Sequence, residues 1–163
     1  MTKRITRAAL LTALALIIFI IEAQLPPLAP IPGIKLGLAN IITVYSMFRL
    51  GPADTLFILL ARIVLGSVFA GSLTSMLFSL GGGLLCYLAM LALRRIFTKK
   101  QIWVCSVIGA IFHNIGQMIV TVLIYQTMSL LIYLPILMLS GIISGIFTGL
   151  CAQFVYDRLE NKL

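Results

Sequence analysis

Apolar residues run along this chain in long blocks, and almost every charge falls between the blocks rather than inside them. Between positions 8 and 34 the one charged residue is Glu22, and none occurs from 114 to 156. A helix needs about 20 apolar residues to cross a hydrocarbon core of about 30 Å. The blocks have that scale and are too many to be one cleaved leader. Six spans are expected, at about 8–24, 36–49, 53–70, 74–93, 102–125 and 130–156. They predict an all-α, polytopic membrane bundle forming a single domain over 1–163. The second span is short, since its 14 residues make only about 21 Å of helix. Something else must fill its outer end.

Breakers sort the connections. Residues 25–33 read Leu-Pro-Pro-Leu-Ala-Pro-Ile-Pro-Gly, which cannot be helical, so 25–35 is expected as an extended external loop. Its apolar character suits a lid over the outer mouth of the bundle; a rigid linker is the plainer alternative. Gly51-Pro52 marks a tight turn. Gly81, Gly82 and Gly83 permit either close helix contact or a local break, and Gly141, Gly145 and Gly149, four residues apart, predict a tightly packed face on the sixth span. In the first span Ala9, Thr12 and Ala13 form a smooth strip, which serves either packing inside the bundle or docking of a separate subunit.

Composition closes off other classes. The chain is 61% hydrophobic and 10% charged with a mean hydropathy of +1.16, outside the range of soluble domains. Its net charge of +8 does not point to nucleic acid, because the basic residues sit at span ends rather than in one stripe interleaved with aromatics. With the amino terminus inside, Lys3, Arg4, Arg7, Arg49, Arg94, Arg95, Lys99, Lys100, Arg158 and Lys162 fall on the inner side and Lys35 alone on the outer. That bias predicts two cytoplasmic termini. Cys86, Cys105 and Cys151 lie far apart, with no C-x-x-C pair and no histidine or carboxylate at ligand spacing. They read as apolar fillers, and no metal or cofactor is expected.

Polar residues inside the spans are then the candidates for chemistry. On the fifth span His113, Asn114 and Gln117 share a face extended by Gly109, Ala110 and Thr121, opposite Ile108, Ile111, Phe112, Ile115, Ile119 and Val122. Unpaired polar groups in lipid cost several kcal/mol each, so this stripe must look inward. Arg62, near the middle of the third span, costs about 2.5 to 3.5 kcal/mol on insertion scales and needs an anion, a carbonyl or water beside it. Apart from Asp54 at the very start of the third span, the one carboxylate within the spans is Glu22. Two readings compete: the polar residues are interhelical glue, at about 0.6 kcal/mol per contact, or they line a ligand site. Glu22, Lys35 and Asn40 belong to the outer half, and Arg62, His113, Asn114 and Gln117 to the middle. Convergence from separate segments favours a ligand site opening outward under the proline-rich segment. The excess of Lys35, Arg62 and His113 over Glu22 suits an anionic or zwitterionic molecule.

The stretch Lys35-Leu-Gly-Leu-Ala-Asn-Ile41, the central Arg62 and His113-Asn-x-Gly-Gln117 resemble the Gx transporter family, also labelled heptaprenyl diphosphate synthase component I, over nearly the whole chain. That family is similar to the substrate-binding S components of energy-coupling factor transporters. The resemblance implies a six-helix protein of a prokaryotic plasma membrane that binds a nutrient or cofactor precursor near its outer face. It further implies that Ala9 and Ala13, as an A-x-x-x-A motif, dock a coupling subunit, that residues 25–33 cover the substrate, and that two ATPases come from other chains. No G-x-x-x-x-G-K-[ST] occurs, so any ATP dependence must indeed come from partners. The synthase label implies prenyl transfer, yet such enzymes hold magnesium with paired aspartate-rich motifs, and the two aspartates here, Asp54 and Asp157, form none. The chain itself is not expected to be an enzyme; an accessory role in prenyl or quinone metabolism stays open. A rival reading is a stand-alone carrier in which His113 and Glu22 shuttle protons, and a purely structural scaffold would leave Arg62 without a purpose.

Overall fold

A computed structural model describes residues 2–24 and 37–160 of the chain. The proline-rich segment expected as a lid, and Lys35 with it, lie outside the described residues. Six α-helices follow one another: α1 (Thr2–Ala23), α2 (Asn40–Arg49), α3 (Pro52–Ala70), α4 (Leu73–Leu93), α5 (Ile102–Tyr125) and α6 (Leu134–Glu160). Short 3-10 turns at Lys99–Gln101 and Met128–Tyr133 lead into α5 and α6. All but α2 are long and apolar enough to cross a membrane, so the chain is a polytopic membrane bundle.

Four boundaries differ by several residues from the expected spans, one of them the end of α6, which runs to Glu160 rather than 156. Helix α1 begins at Thr2 rather than near residue 8. Its basic first turns continue the helix, and Arg4 pairs with Asp54 at the start of α3, at 2.7 Å. Helix α2 begins at Asn40 rather than Leu36, because Gly37 takes a φ of +76° and the next residues form a turn in which Asn40 N–H donates to the Gly37 carbonyl at 2.9 Å. A side chain at that φ is strained, which is why a glycine stands there. Asn40 therefore opens the helix instead of lying a turn inside it. Residues 130–133, expected in the sixth span, belong to the 3-10 turn before α6. Pro135 then falls in the first turn of α6, where its missing N–H breaks no helical bond.

The helices alternate in direction. Tyr87, late in α4, donates its hydroxyl to the Pro52 carbonyl at the start of α3 (3.2 Å). Gln153, late in α6, accepts from Ile102 N–H at the start of α5 (3.0 Å) and donates to the Lys99 carbonyl (2.8 Å). Short α2 sits in the middle and touches all the other helices. Helix α5 is clasped between α4 and α6, and glycine is what allows it. A Cβ on Gly116 would strike the Gly81 carbonyl, and one on Gly82 would lie 2.8 Å from the His113 carbonyl oxygen. On the other side, a Cβ on Gly145 would come within 2.8 Å of Val107 Cα, and one on Gly149 within 2.7 Å of Trp103 Cα. The glycine run in α4 is thus a contact surface in an unbroken helix, and the expected tight face of α6 lies on α5.

An apolar core fills the end of the bundle where Arg49, Arg94 and Lys99 lie. Met47, Met90, Ile102 and Cys105 are fully buried there, packed with Val44, Leu59, Cys86, Tyr87 and Tyr156. Cys86, Cys105 and Cys151 are free thiols. The other half of the interior is polar.

Candidate functional site

The polar half is built on the stripes that each helix turns inward. On α1 the buried positions are Ala8, Thr12, Ala15, Phe19 and Glu22, a repeat of four and three residues that aligns one face along the helix. On α5 they include Gly109, His113, Gly116, Gln117 and Thr121, while Phe112 and Ile119 face outward. The polar stripe of α5 does look into the bundle, as the cost of exposing it to lipid demands.

These stripes meet at a cavity lined by Phe19 and Glu22 of α1, Gly37, Asn40 of α2, Arg62 and Ile63 of α3, Ser79 of α4, and His113 and Gln117 of α5. About 20 Å³ is open to the centre of a water molecule, room for a water or two or for the tip of a larger molecule. Glu22 accepts a hydrogen bond from Gly37 N–H through Oε1, which ties the end of α1 to the turn before α2. Arg62 donates from Nη2 to Asn40 Oδ1 at 3.3 Å. Beyond that, Arg62 Nε, His113 Nδ1 and Gln117 Oε1 are buried and have no hydrogen-bond partner among the described residues. The three residues are only 5%, 6% and 4% exposed. Buried polar atoms are rarely left in this state, because each forfeits its hydration for nothing.

Of the residues singled out from the sequence, Glu22, Asn40, Arg62, His113 and Gln117 come together here. Asn114 goes elsewhere: its amide Nδ2 donates to the Leu137 carbonyl of α6, and it lies against Gly141. Residues 113 and 114 differ by 100° around the helix, so one faces the cavity and the other the neighbouring helix. Lys35 is outside the described residues. On α1, Ala9 and Ala13 are exposed on the bundle's outer surface, whereas Thr12 is buried and donates to the Ala8 carbonyl at 2.9 Å. The smooth strip is therefore narrower than expected, with Thr12 turned into the fold.

Sequence reasoning missed Phe19, Gly37, Ile63 and Ser79 as wall residues. Two of them carried a sign. Phe19 lies three residues before Glu22 on the same face of α1, and Ser79 continues the Gly82, Gly83 and Cys86 face of α4. Among the described residues, no three His, Cys, Asp or Glu side chains are grouped so as to hold a metal ion.

No curated protein and no solved structure matches the chain. The family model for heptaprenyl diphosphate synthase component I matches residues 11–155, a stretch that takes in all but the first turns of α1 and the last of α6 and holds every described residue of the cavity wall. The chain belongs to the heptaprenyl diphosphate synthase component I family.

Proposed function

We propose that this protein is a membrane substrate-binding subunit that captures a small polar molecule from outside and hands it to a partner complex, in the manner of an S component of an energy-coupling factor transporter. The single observation that carries the reading is that three residues lining one cavity with Glu22 and Asn40 each keep a buried polar atom, Arg62 Nε, His113 Nδ1 and Gln117 Oε1, with no partner among the described residues. Interhelical glue would have used those atoms on neighbouring helices, as Asn114 does on Leu137. A ligand supplies the missing partners. The basic residues crowd the apolar end of the bundle, so by the positive-inside rule that end is cytoplasmic, both termini with it, and the cavity belongs to the outer half of a prokaryotic plasma membrane. Exposed Ala9 and Ala13 on α1 offer a smooth surface to a coupling subunit, and ATPases would be separate chains.

The family's printed name ties it to a synthase as component I. We read the part played by this chain as non-catalytic, because among the described residues the cavity presents one carboxylate and no cluster of acids for magnesium and diphosphate. A second reading has one observation in its favour: Glu22 and His113 line the same cavity, the pair a proton-linked carrier would need. Mass spectrometry of small molecules that co-purify with the wild type and with Arg62→Ala tests the proposal. A polar compound found with the wild type and lost from the folded variant is expected; identical extracts would sink it. Uptake driven by a pH gradient in vesicles holding no other protein would install the carrier instead.

A further inference from the structure

We infer that the place where α4 hands over to α5, at the basic end of the bundle, recruits anionic phospholipid, its phosphates drawn to Arg94, Arg95 and Lys100 and its acyl chains to Ile96 and Trp103. This surface lies at the other end of the bundle from the cavity and does not depend on what the cavity binds.

Two observations carry it. The first is the charge left over. The sequence has four acidic residues. Glu22 lies at the cavity, and the three at the basic end are engaged elsewhere. Asp54 pairs with Arg4 at 2.7 Å and Glu160 with Lys99 at 2.8 Å, while Asp157 accepts from Gln153 Nε2 at 3.0 Å. Arg94, Arg95 and Lys100 are exposed and form no ion pair among the described residues. The chain offers these three cations no acidic side chain. The second observation is the apolar surface among them. Leu88 and Leu91, both exposed, carry the lipid-facing side of α4 down to the connection, and Ile96, 72% exposed, and Trp103, 40% exposed, extend it. Tryptophan favours the headgroup level of a bilayer, and long basic side chains keep their stems in lipid and their heads at the phosphates. Guanidinium groups match phosphate oxygens two at a time. Sidedness at insertion accounts for cations here but asks for no apolar side chain between them. An acidic protein partner would also suit the cations, yet lipid is already the neighbour that Leu88, Leu91 and Ile96 require.

Trp103 is the sole tryptophan of the chain, so its fluorescence reports on the lipid beside it. The purified protein is reconstituted in bilayers of phosphatidylglycerol and phosphatidylcholine, each in turn brominated on its acyl chains, and quenching of Trp103 gives the relative affinity of the two lipids at this place. Phosphatidylglycerol is expected to be favoured at least about threefold. The preference should fade at about 1 M salt, where the screening length is about 3 Å. Arg94→Gln with Arg95→Gln and Lys100→Gln should erase it while helix content and the gel-filtration profile stay unchanged. The reporter is then moved to the far end of α5 by Trp103→Phe with Tyr125→Trp, at a position that is also lipid-exposed, and should find no preference there. Equal quenching by the two lipids at Trp103 in the wild type overturns the inference and leaves the cations to an acidic protein partner. A preference undiminished by the triple substitution overturns it too. So does one as strong at position 125, because the lipid then answers to the net charge of the protein rather than to this surface. Should the triple variant not fold, the wild-type ratio and the comparison with position 125 still decide.

Discussion

The two halves of the interior solve the same problem in opposite ways. At the basic end, Met47, Met90, Ile102 and Cys105 close the space with side chains that need no partners, and among the described residues Ser46 Oγ is the one buried polar side-chain atom there without a hydrogen bond. In the other half, Arg62, His113 and Gln117 are also buried, line a void and keep polar atoms that have no partner among the described residues. Stability alone would have filled that void with apolar residues, because buried charges are often neutral or unfavourable relative to well-packed hydrophobic ones. The apolar half explains why the bundle holds together. The polar half is expensive and is explained by what enters it.

The comparison breaks most visibly at the seams that hold both halves. Gly116→Leu would drive a side chain into the Gly81 backbone, where no rotamer gives relief. Overpacking of this kind costs about 1–3 kcal/mol in ordinary cores and more when the obstacle is backbone. Loss of a monodisperse peak after mild heating, in fluorescence-detected gel filtration, is the expected outcome. A variant as heat-stable as the wild type would mean that α4 and α5 do not meet at these glycines.

The sharper test exchanges one solution for the other. In Glu22→Gln with Arg62→Met both charged groups of the described cavity wall are gone, and the polar half should come to resemble the apolar one. The double variant is expected to be about 1–3 kcal/mol more stable than the wild type and to retain no ligand. Arg62→Met alone keeps the buried Glu22 carboxylate and should gain less or nothing. Thermal unfolding of the three proteins with ligand-free membranes as the source checks the order. If the double variant melts well below the wild type, the two buried charged side chains are structural and the contrast between the halves is mistaken.

Asn114→Ala belongs between the halves. Its amide serves the Leu137 carbonyl, which also accepts from Ser140 at 2.9 Å, so the loss should be about 1 kcal/mol of stability with ligand retention unchanged. Retention lost in the folded variant would return Asn114 to the ligand site.

The sequence made much of this legible, for identifiable reasons. Uninterrupted apolar runs marked α3, α4 and α5 to within a residue, since lipid leaves a backbone no other way to satisfy its hydrogen bonds. Depth along each span was enough to bring Glu22, Arg62, His113 and Gln117 together, because polar groups shun lipid and the bundle has one interior. What stayed hidden depended on neighbours. The spacing of residues 113, 114 and 117 fixes their angles on α5 but not that α6 covers the flank bearing Asn114. The start of α2 turned on the left-handed conformation of Gly37, which no periodicity announces.

The smallest effect on the bundle is expected where neither half reaches. Ala9 and Ala13 lie on the exposed side of α1, one face away from the buried Ala8 and Thr12, and α1 touches only α2 and α3 among the helices it meets extensively. Both are also near the start of the helix, far along its axis from Phe19 and Glu22 at the cavity. Tryptophan at both positions should therefore leave the melting temperature and ligand retention in detergent unchanged. What it removes is close approach from outside: helices associate in lipid through van der Waals contact between small residues, and two indoles would hold a partner helix away. The double variant Ala9→Trp with Ala13→Trp is expected to lose co-purification with a coupling subunit and ATP-dependent uptake in cells while binding persists. Substituting Thr12 instead should disturb the fold, since its hydroxyl and methyl are inside. If the double tryptophan variant still transports in vesicles holding no other protein, and transport follows a pH gradient, this face docks nothing that matters, and Glu22 with His113 becomes the machinery of a self-sufficient carrier.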